Sequence, residues 1–259
     1  MNAHGQKRDA IRHPITLARA IRDAVSRKQG KRLRTRISAW FRYHRSQMEY
    51  ERLSNGRHSD KEVVSYPCVW DESTTTPVEP IYYYQDSWAF ERIVAASPTS
   101  HVDVGSHHKF VVFLSKLMNI TTIDIRKPDV LAESVNFLQG TILDLPFDDR
   151  SLSSISSLCV IEHIGLGRYG DPLDPSGTEK ALAELMRVTA PGGNLYLSVP
   201  IDEQDRVYFN AHRAYRDKTW RRLIGEFEVV QARYIFGKTF LDFPGKGFGT
   251  ACYHLRRPD

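Results

Sequence analysis

Residues 101–106, His101-Val102-Asp103-Val104-Gly105-Ser106, and residues 121–126, Thr121-Thr122-Ile123-Asp124-Ile125-Arg126, decide how this chain folds. Each is a short apolar run that closes on an acid or a glycine. Between them, Phe110–Met118 has helical spacing, so the unit reads strand, helix, strand. The alternation continues outward. Val135–Gln139 reads as a third strand, Ile155–Ile161 as a fourth and Leu195–Val199 as a fifth, with a helix over Thr178–Thr189. Ala190-Pro191-Gly192-Gly193 is expected to stop that helix, because Pro and Gly do not continue one. A helix over Tyr215–Gly225 and late strands over Phe227–Phe236 and Thr250–Leu255 complete the pattern. Such alternation predicts an α/β, Rossmann-like fold: a mostly parallel seven-stranded sheet with helices on both faces.

Charge divides the chain. Residues 1–60 hold 15 Lys/Arg against 5 Asp/Glu, which leaves 21 against 26 for the remaining residues. The basic character therefore belongs to an extension. Its apolar positions (Ile15, Leu17, Ile21, Val25, Leu33, Ile37, Trp40, Phe41) recur with helical spacing among Arg and Lys. A basic amphipathic helix over 15–55 suits an anionic membrane surface; docking on the body or on another subunit is the alternative. Nucleic acid is disfavoured, because no basic–aromatic pattern continues into the body. The expected organisation is a basic helical extension over 1–60, a linker and pocket-capping helix over 61–98 and a cofactor-binding domain over 99–259. Three dispersed cysteines without a CxxC spacing predict neither a disulfide framework nor a structural zinc. No metal is expected at the site. With no long apolar run and no leader-like start, the expected location is cytoplasmic, with a peripheral position at the inner face of the plasma membrane as the variant that the basic extension suits.

In sheets of this kind a ligand lies beyond the C-terminal strand ends, where strand order reverses. Asp103, Gly105 and Ser106 stand at the end of the first strand, and Asp124 and Ile125 at the end of the second. An acid there suits a ribose diol. Thr141, Ile142 and Asp144, after Gly140, offer an apolar face and polar groups for an adenine. Dinucleotides and S-adenosylmethionine both fit this arrangement. The dinucleotide fingerprint needs G-x-G-x-x-G so that a pyrophosphate can reach bare backbone. Here Ser106, His107, His108 and Lys109 follow Gly105. A sulfonium donor has no phosphate and tolerates those side chains, so S-adenosylmethionine is the expected cofactor.

These residues, with Leu185-Met186-Arg187-Val188 before Ala190-Pro191-Gly192-Gly193, resemble class I methyltransferases over roughly 100–257. More narrowly, Val160-Ile161-Glu162-His163-Ile164-Gly165-Leu166-Gly167-Arg168-Tyr169-Gly170-Asp171-Pro172-Leu173-Asp174-Pro175, Tyr84-Gln85-Asp86-Ser87-Trp88-Ala89 and Asn210-Ala211-His212-Arg213 are similar to a bacterial methyltransferase-like family found with surface-polysaccharide genes. That resemblance implies O-methylation of a sugar or glycan intermediate. An RNA or small-metabolite methyltransferase is the second enzyme class, and a non-catalytic binding subunit with the same fold is the third. Two departures stand out: His107 and Lys109 replace later glycines of the usual D-x-G-x-G-x-G loop, and Thr141 replaces an acid.

His163 is the expected general base, since an imidazole with a pKa near ~6.5 suits proton transfer at neutral pH. Glu162 is expected to orient it or bind the donor, and His212 is the rival base. Gly165–Pro175 suits a substrate lid, with Arg168 and Tyr169 for a charged or sugar acceptor. Asp171 and Arg213 are substrate candidates too, although Asp171 and Asp174 equally suit turn formation. Gln85 is the cofactor-pocket candidate of the aromatic run 82–90, with Asp86 beside it.

Overall fold

The computed structural model describes residues 37–54, 66–68 and 74–259. It divides into two units, 1–77 and 78–259. In the first, residues 37–54 are helical (α1). The expected helix over 15–36 lies outside the described residues. Among the described residues, no helix is long and apolar enough to cross a membrane.

The second unit is built on one sheet. Its strands are β1 (Ser100–Val104), β2 (Asn119–Asp124), β3 (Val135–Gln139), β4 (Leu152–Leu158), β5 (Thr189–Ile201), β8 (Glu228–Phe236), β9 (Thr239–Leu241) and β10 (Gly249–Arg256). Their spatial order is β3-β2-β1-β4-β5-β10-β8-β9. The first five run parallel. β10 runs antiparallel to both β5 and β8. The sheet therefore has eight strands and is mixed, which corrects the expected seven. The link from Phe236 to Gly249 carries β9 rather than a helix. Without a helical crossover the chain returns antiparallel. β9 itself closes a two-residue hairpin at Gly237-Lys238, too short to show as an apolar run. A second small sheet pairs β6 (Arg206–Tyr208) with β7 (His212–Ala214).

The central strands are buried on both faces, as a sheet covered by two helical layers requires. α2 (Pro80–Ala96) and α3 (His108–Leu114) place Trp88, Ile93, Phe110 and Leu114 against Ile120, Leu158 and Tyr196. On the opposite face α4 (Gly177–Val188) and α5 (Asp217–Ile224) place Leu182, Leu185 and Trp220 against Ile155, Leu197 and Val199. α2 thus belongs to the core of this unit. α4 ends at Val188, and Ala190-Pro191-Gly192-Gly193 already lie within β5. A Cβ on Gly193 would sit 2.9 Å from the Leu152 carbonyl, so this glycine lets β5 approach β4.

Beneath the strand ends runs a buried polar chain. His101 Nδ1 lies 2.7 Å from Ser154 Oγ, and its Nε2 lies 2.9 Å from Ser156 Oγ. The Ser156 hydroxyl donates to Asp103 Oδ1 (2.6 Å), and Asp103 Oδ2 accepts from the Ser106 N–H (3.1 Å). Burial pushes Asp103 up to about 6 and pulls His101 down to about 3. His101 is therefore neutral in the fold and takes up a proton only on unfolding. Its contribution is complete above the unfolded pKa of about 6.5 and is lost as pH falls toward 3, by about 1.4 kcal/mol per pH unit. Urea unfolding at a series of pH values checks this. His101→Gln should make the fall in stability between about pH 6 and pH 4 shallower by one proton; an unchanged slope would refute the assignment.

Candidate functional site

β1 lies between β2 and β4, and the chain leaves these strands in opposite directions. The crevice that opens beyond their C-terminal ends is the expected ligand position. Gly105 turns the chain there at φ +71°, a conformation that suits glycine. Its N–H donates to the Ile123 carbonyl (2.9 Å). A Cβ on Gly105 would lie 3.0 Å from Val160 Cγ1. Gly105, Asp124, Ile125, Gly140, Ile142 and Val160 line an inner pocket. Asp124 Oδ1 accepts from the Arg126 N–H (2.8 Å), which fixes the carboxylate at the pocket rim.

Other expected cofactor residues stand elsewhere. Asp103 is fully buried, with both oxygens engaged beneath the turn, so it shapes the loop and touches no ligand. Gln85 is also fully buried. Its Oε1 accepts from the Ser198 hydroxyl (2.7 Å) and the Cys159 thiol (3.1 Å), which ties α2 to the ends of β4 and β5. Thr141 and Asp144 form an exposed turn, where the Asp144 N–H donates to the Thr141 carbonyl (3.2 Å). Neither lines the inner pocket. Ser106 lines the adjoining cleft and accepts from the Leu158 N–H (3.0 Å), fastening the turn to β4. His107, in place of a glycine, caps α3 by accepting from the Lys109 N–H (3.3 Å), and its ring packs on Tyr82 at 5.1 Å.

An outer cleft of about 370 Å³ adjoins the pocket and brings Glu162, His163, Arg168, Tyr169 and His212 together. Glu162 and His163 sit in a 3-10 turn, Ile161–His163, directly after β4. Glu162 is 1% exposed. Its Oε1 lies 3.7 Å from His163 Nε2, and its Oε2 has no hydrogen-bond partner. Burial pushes Glu162 up to about 8. The same burial pulls His163 down to about 4, and its Nδ1–H donates to the Ala211 carbonyl (2.5 Å). His163 therefore lacks the ordinary imidazole basicity expected of it, whereas Glu162 has gained basicity. His212 packs between Tyr208 and Phe248, at ring distances of 5.0 and 5.3 Å, and burial lowers it as well. The β6–β7 hairpin, invisible as a short apolar run, delivers both His212 and the Ala211 carbonyl.

The loop after this turn is a fixed rim. The Asp174 N–H donates to the Gly165 carbonyl (3.0 Å). Asp171 accepts from the Gly165 and Tyr169 N–H groups (2.7 and 3.2 Å), which holds its carboxyl below the usual range. Arg213 is 2% exposed and donates to the Ile164 carbonyl (2.5 Å), Thr178 Oγ1 (3.0 Å) and the Asp174 carbonyl (2.8 Å). Asp171 and Arg213 thus build the rim instead of meeting a substrate. Arg126 was not singled out from the sequence, yet its guanidinium carbon stands 4.7 Å over the Tyr169 ring, with that of Arg168 at 5.1 Å. Its place two residues after Asp124 was the available signal. Among the described residues, no group of three or more His, Cys, Asp and Glu is placed to hold a metal ion.

The fold has solved counterparts. The [4+2]-cyclase SpnF matches at a TM-score of 0.56 and 15% identity, over 73% of this chain and 86% of that one. The 1,6-didemethyltoxoflavin-N1-methyltransferase of Burkholderia thailandensis, solved with its substrate and S-adenosylhomocysteine, matches at 0.52 and 15%, over 83% and 89%. The N-methyltransferase NodS of Bradyrhizobium japonicum WM9 matches at 0.52 and 15%, over 70% and 98%. The fold is that of the class I methyltransferases. A family model described as a Caenorhabditis protein of unknown function, DUF268, matches residues 147–237, the stretch that carries Glu162, His163, Arg168 and His212. No curated protein sequence matches the chain.

Arg213→Met removes three hydrogen bonds, each worth about 1–3 kcal/mol; the Ile164 carbonyl and Thr178 Oγ1 lose this donor, while the Asp174 carbonyl keeps the Gly177 N–H. Thermal unfolding should show a loss of about 3 kcal/mol or more, and digestion should cleave first within 165–175. A variant as stable as the parent would show that Arg213 does not hold the rim.

Proposed function

We propose that this chain is an S-adenosylmethionine-dependent O-methyltransferase acting on a hydroxyl of a sugar or glycan intermediate. The observation that carries this reading is the pairing of the bare Gly105 turn with the Asp124 carboxylate at the neighbouring ends of β1 and β2, beside the sheet's switch point. The residues present fit an adenosyl group. Asp124 would take the ribose hydroxyls, and Ile125 and Ile142 would flank the adenine. The close approach at Gly105, which a Cβ would obstruct against Val160, would leave backbone open to the ligand. When bound, S-adenosylmethionine supplies a methyl group on a positively charged sulfur.

The chain's own part is positioning and proton transfer. Glu162 is the general base: its unpartnered Oε2 belongs to a cleft residue beside the pocket. Burial destabilises its anion and so raises its affinity for the acceptor's proton. His163 stays neutral, held by the Ala211 carbonyl, with its Nε2 3.7 Å from Glu162 Oε1. The sugar as acceptor is supported by the resemblance of residues 160–175 to the polysaccharide-gene family and by the half-exposed Tyr169 ring at the mouth, which suits stacking on a sugar face. The basic pattern over 15–55 supports a lipid-carried acceptor at an anionic membrane surface.

Two measurements test this. In titration calorimetry, S-adenosylhomocysteine should bind the full chain, and Asp124→Ala should weaken it about tenfold or more through loss of charge-assisted hydrogen bonds. Absence of heat at millimolar ligand would end the methyl-transfer reading. For the base, a carboxyl raised to about 8 is protonated at neutral pH and ionises as pH rises through 8. Infrared difference spectra should therefore show a protonated-carboxyl band titrating near pH 8 that is missing in Glu162→Gln. A Glu162 already ionised at about pH 6 would show that burial does not raise its basicity to the extent proposed.

A further inference from the structure

We infer that the outer cleft binds an oxyanion on the acceptor, a phosphate or a carboxylate, between the guanidinium groups of Arg126 and Arg168. The identity of the ligand as the acceptor rests on the methyl-transfer reading; the anion site itself does not. Arg126 follows β2 and Arg168 follows the turn after β4, so the two come from opposite sides of the crevice. Both line the cleft. Their guanidinium carbons stand 4.7 and 5.1 Å from the centre of one ring, Tyr169.

Neither has a carboxylate within salt-bridge distance among the described residues, whereas Arg187, Arg206, Arg216 and Arg221 each have one. Arg168 Nη1 lies 3.3 Å from both the Ala211 carbonyl and His163 Nδ1, and among the described residues no hydrogen bond occupies the Arg126 guanidinium. The distances to the shared ring hold the two cations within about 10 Å of each other, a range over which salt at about 0.15 M screens them only in part. The contact of each cation with the ring face holds the guanidinium groups in place without neutralising them. An oxyanion would neutralise them and meet the fork of N–H donors that arginine offers.

The nearby acids do not compete. Asp124 is turned onto the Arg126 backbone N–H, and Glu162 is protonated at neutral pH. His212, on the same cleft, adds a further ring N–H.

Calorimetry on the full chain tests this with inorganic pyrophosphate and malonate as probes, and with S-adenosylhomocysteine and methylthioadenosine as donor fragments with and without a carboxylate. Pyrophosphate or malonate should bind the parent, and the tighter of the two identifies the acceptor's group as phosphate or carboxylate. Arg168→Gln and Arg126→Gln should each weaken that binding about tenfold or more. Arg168→Lys should restore it only in part, because the planar fork is missing. Arg222→Gln, exposed on α5, should leave it unchanged. The site falls if neither anion binds the parent, or if Arg222→Gln weakens binding as much as the cleft variants do. It also falls if the cleft variants weaken S-adenosylhomocysteine but neither methylthioadenosine nor pyrophosphate, because the guanidinium groups then serve the donor's carboxylate. Pyrophosphate binding lost in Arg168→Gln, in a chain that ignores S-adenosylhomocysteine, would keep the anion site and overturn methyl transfer.

Discussion

The close approach of Val160 to the bare backbone of Gly105 governs the site. These two residues lie just past β4 and β1, the pair of strands at which the order of the sheet reverses. A methyl group at Gly105 would press on the Val160 side chain at 3.0 Å, on a backbone already at positive φ. With hydrogen in that place the turn is tight, and the crevice between the two chain paths stays open. Beneath it, Asp103 spends its oxygens on Ser106 and Ser156. A buried acid that looks like a ligand contact in the sequence is the support of the Gly105 loop in the fold.

The electrostatics of the cleft follow from burial. Glu162 and His163 are neighbours in sequence and nearly touch, yet they form no ion pair at neutral pH. Desolvation raises the acid to about 8 and lowers the imidazole to about 4, so each prefers its neutral form. Environments that push two titratable groups apart in this way divide acid and base duties. Under the proposed methyl transfer, the division gives the base role to the glutamate and not to the histidine. The neutral pair also leaves the two guanidinium groups at the mouth as the dominant charge.

The fold does not specify the chemistry by itself. A [4+2]-cyclase and two N-methyltransferases share this architecture with the chain at similar distance, as superfolds commonly host different reactions. In this chain the cleft is built by the segment after β4: the Glu162-His163 turn, the rim locked by Asp171 and Arg213, and the hairpin that brings the Ala211 carbonyl and His212 across to it.

The sequence by itself determined the strand–helix alternation, the parallel half of the sheet, the Gly105 turn and the Asp124 carboxylate, because each is written in local periodicity or in a residue type at a strand end. It also placed Glu162, His163, Arg168, Tyr169 and His212 on the loops that meet at the cleft. It could not show that β10 reverses or that β9 exists, since strand direction depends on what links two strands in space. The duties of Gln85, Asp103, Asp171 and Arg213 were decided only by tertiary structure, and so were the opposite pKa shifts of Glu162 and His163. Whether a polar side chain serves a ligand or the fold depends on which backbone groups surround it, and its pKa on how much water reaches it. Both are set by residues 40 or more positions away in the chain, such as Ala211 for His163 and Ile164 for Arg213.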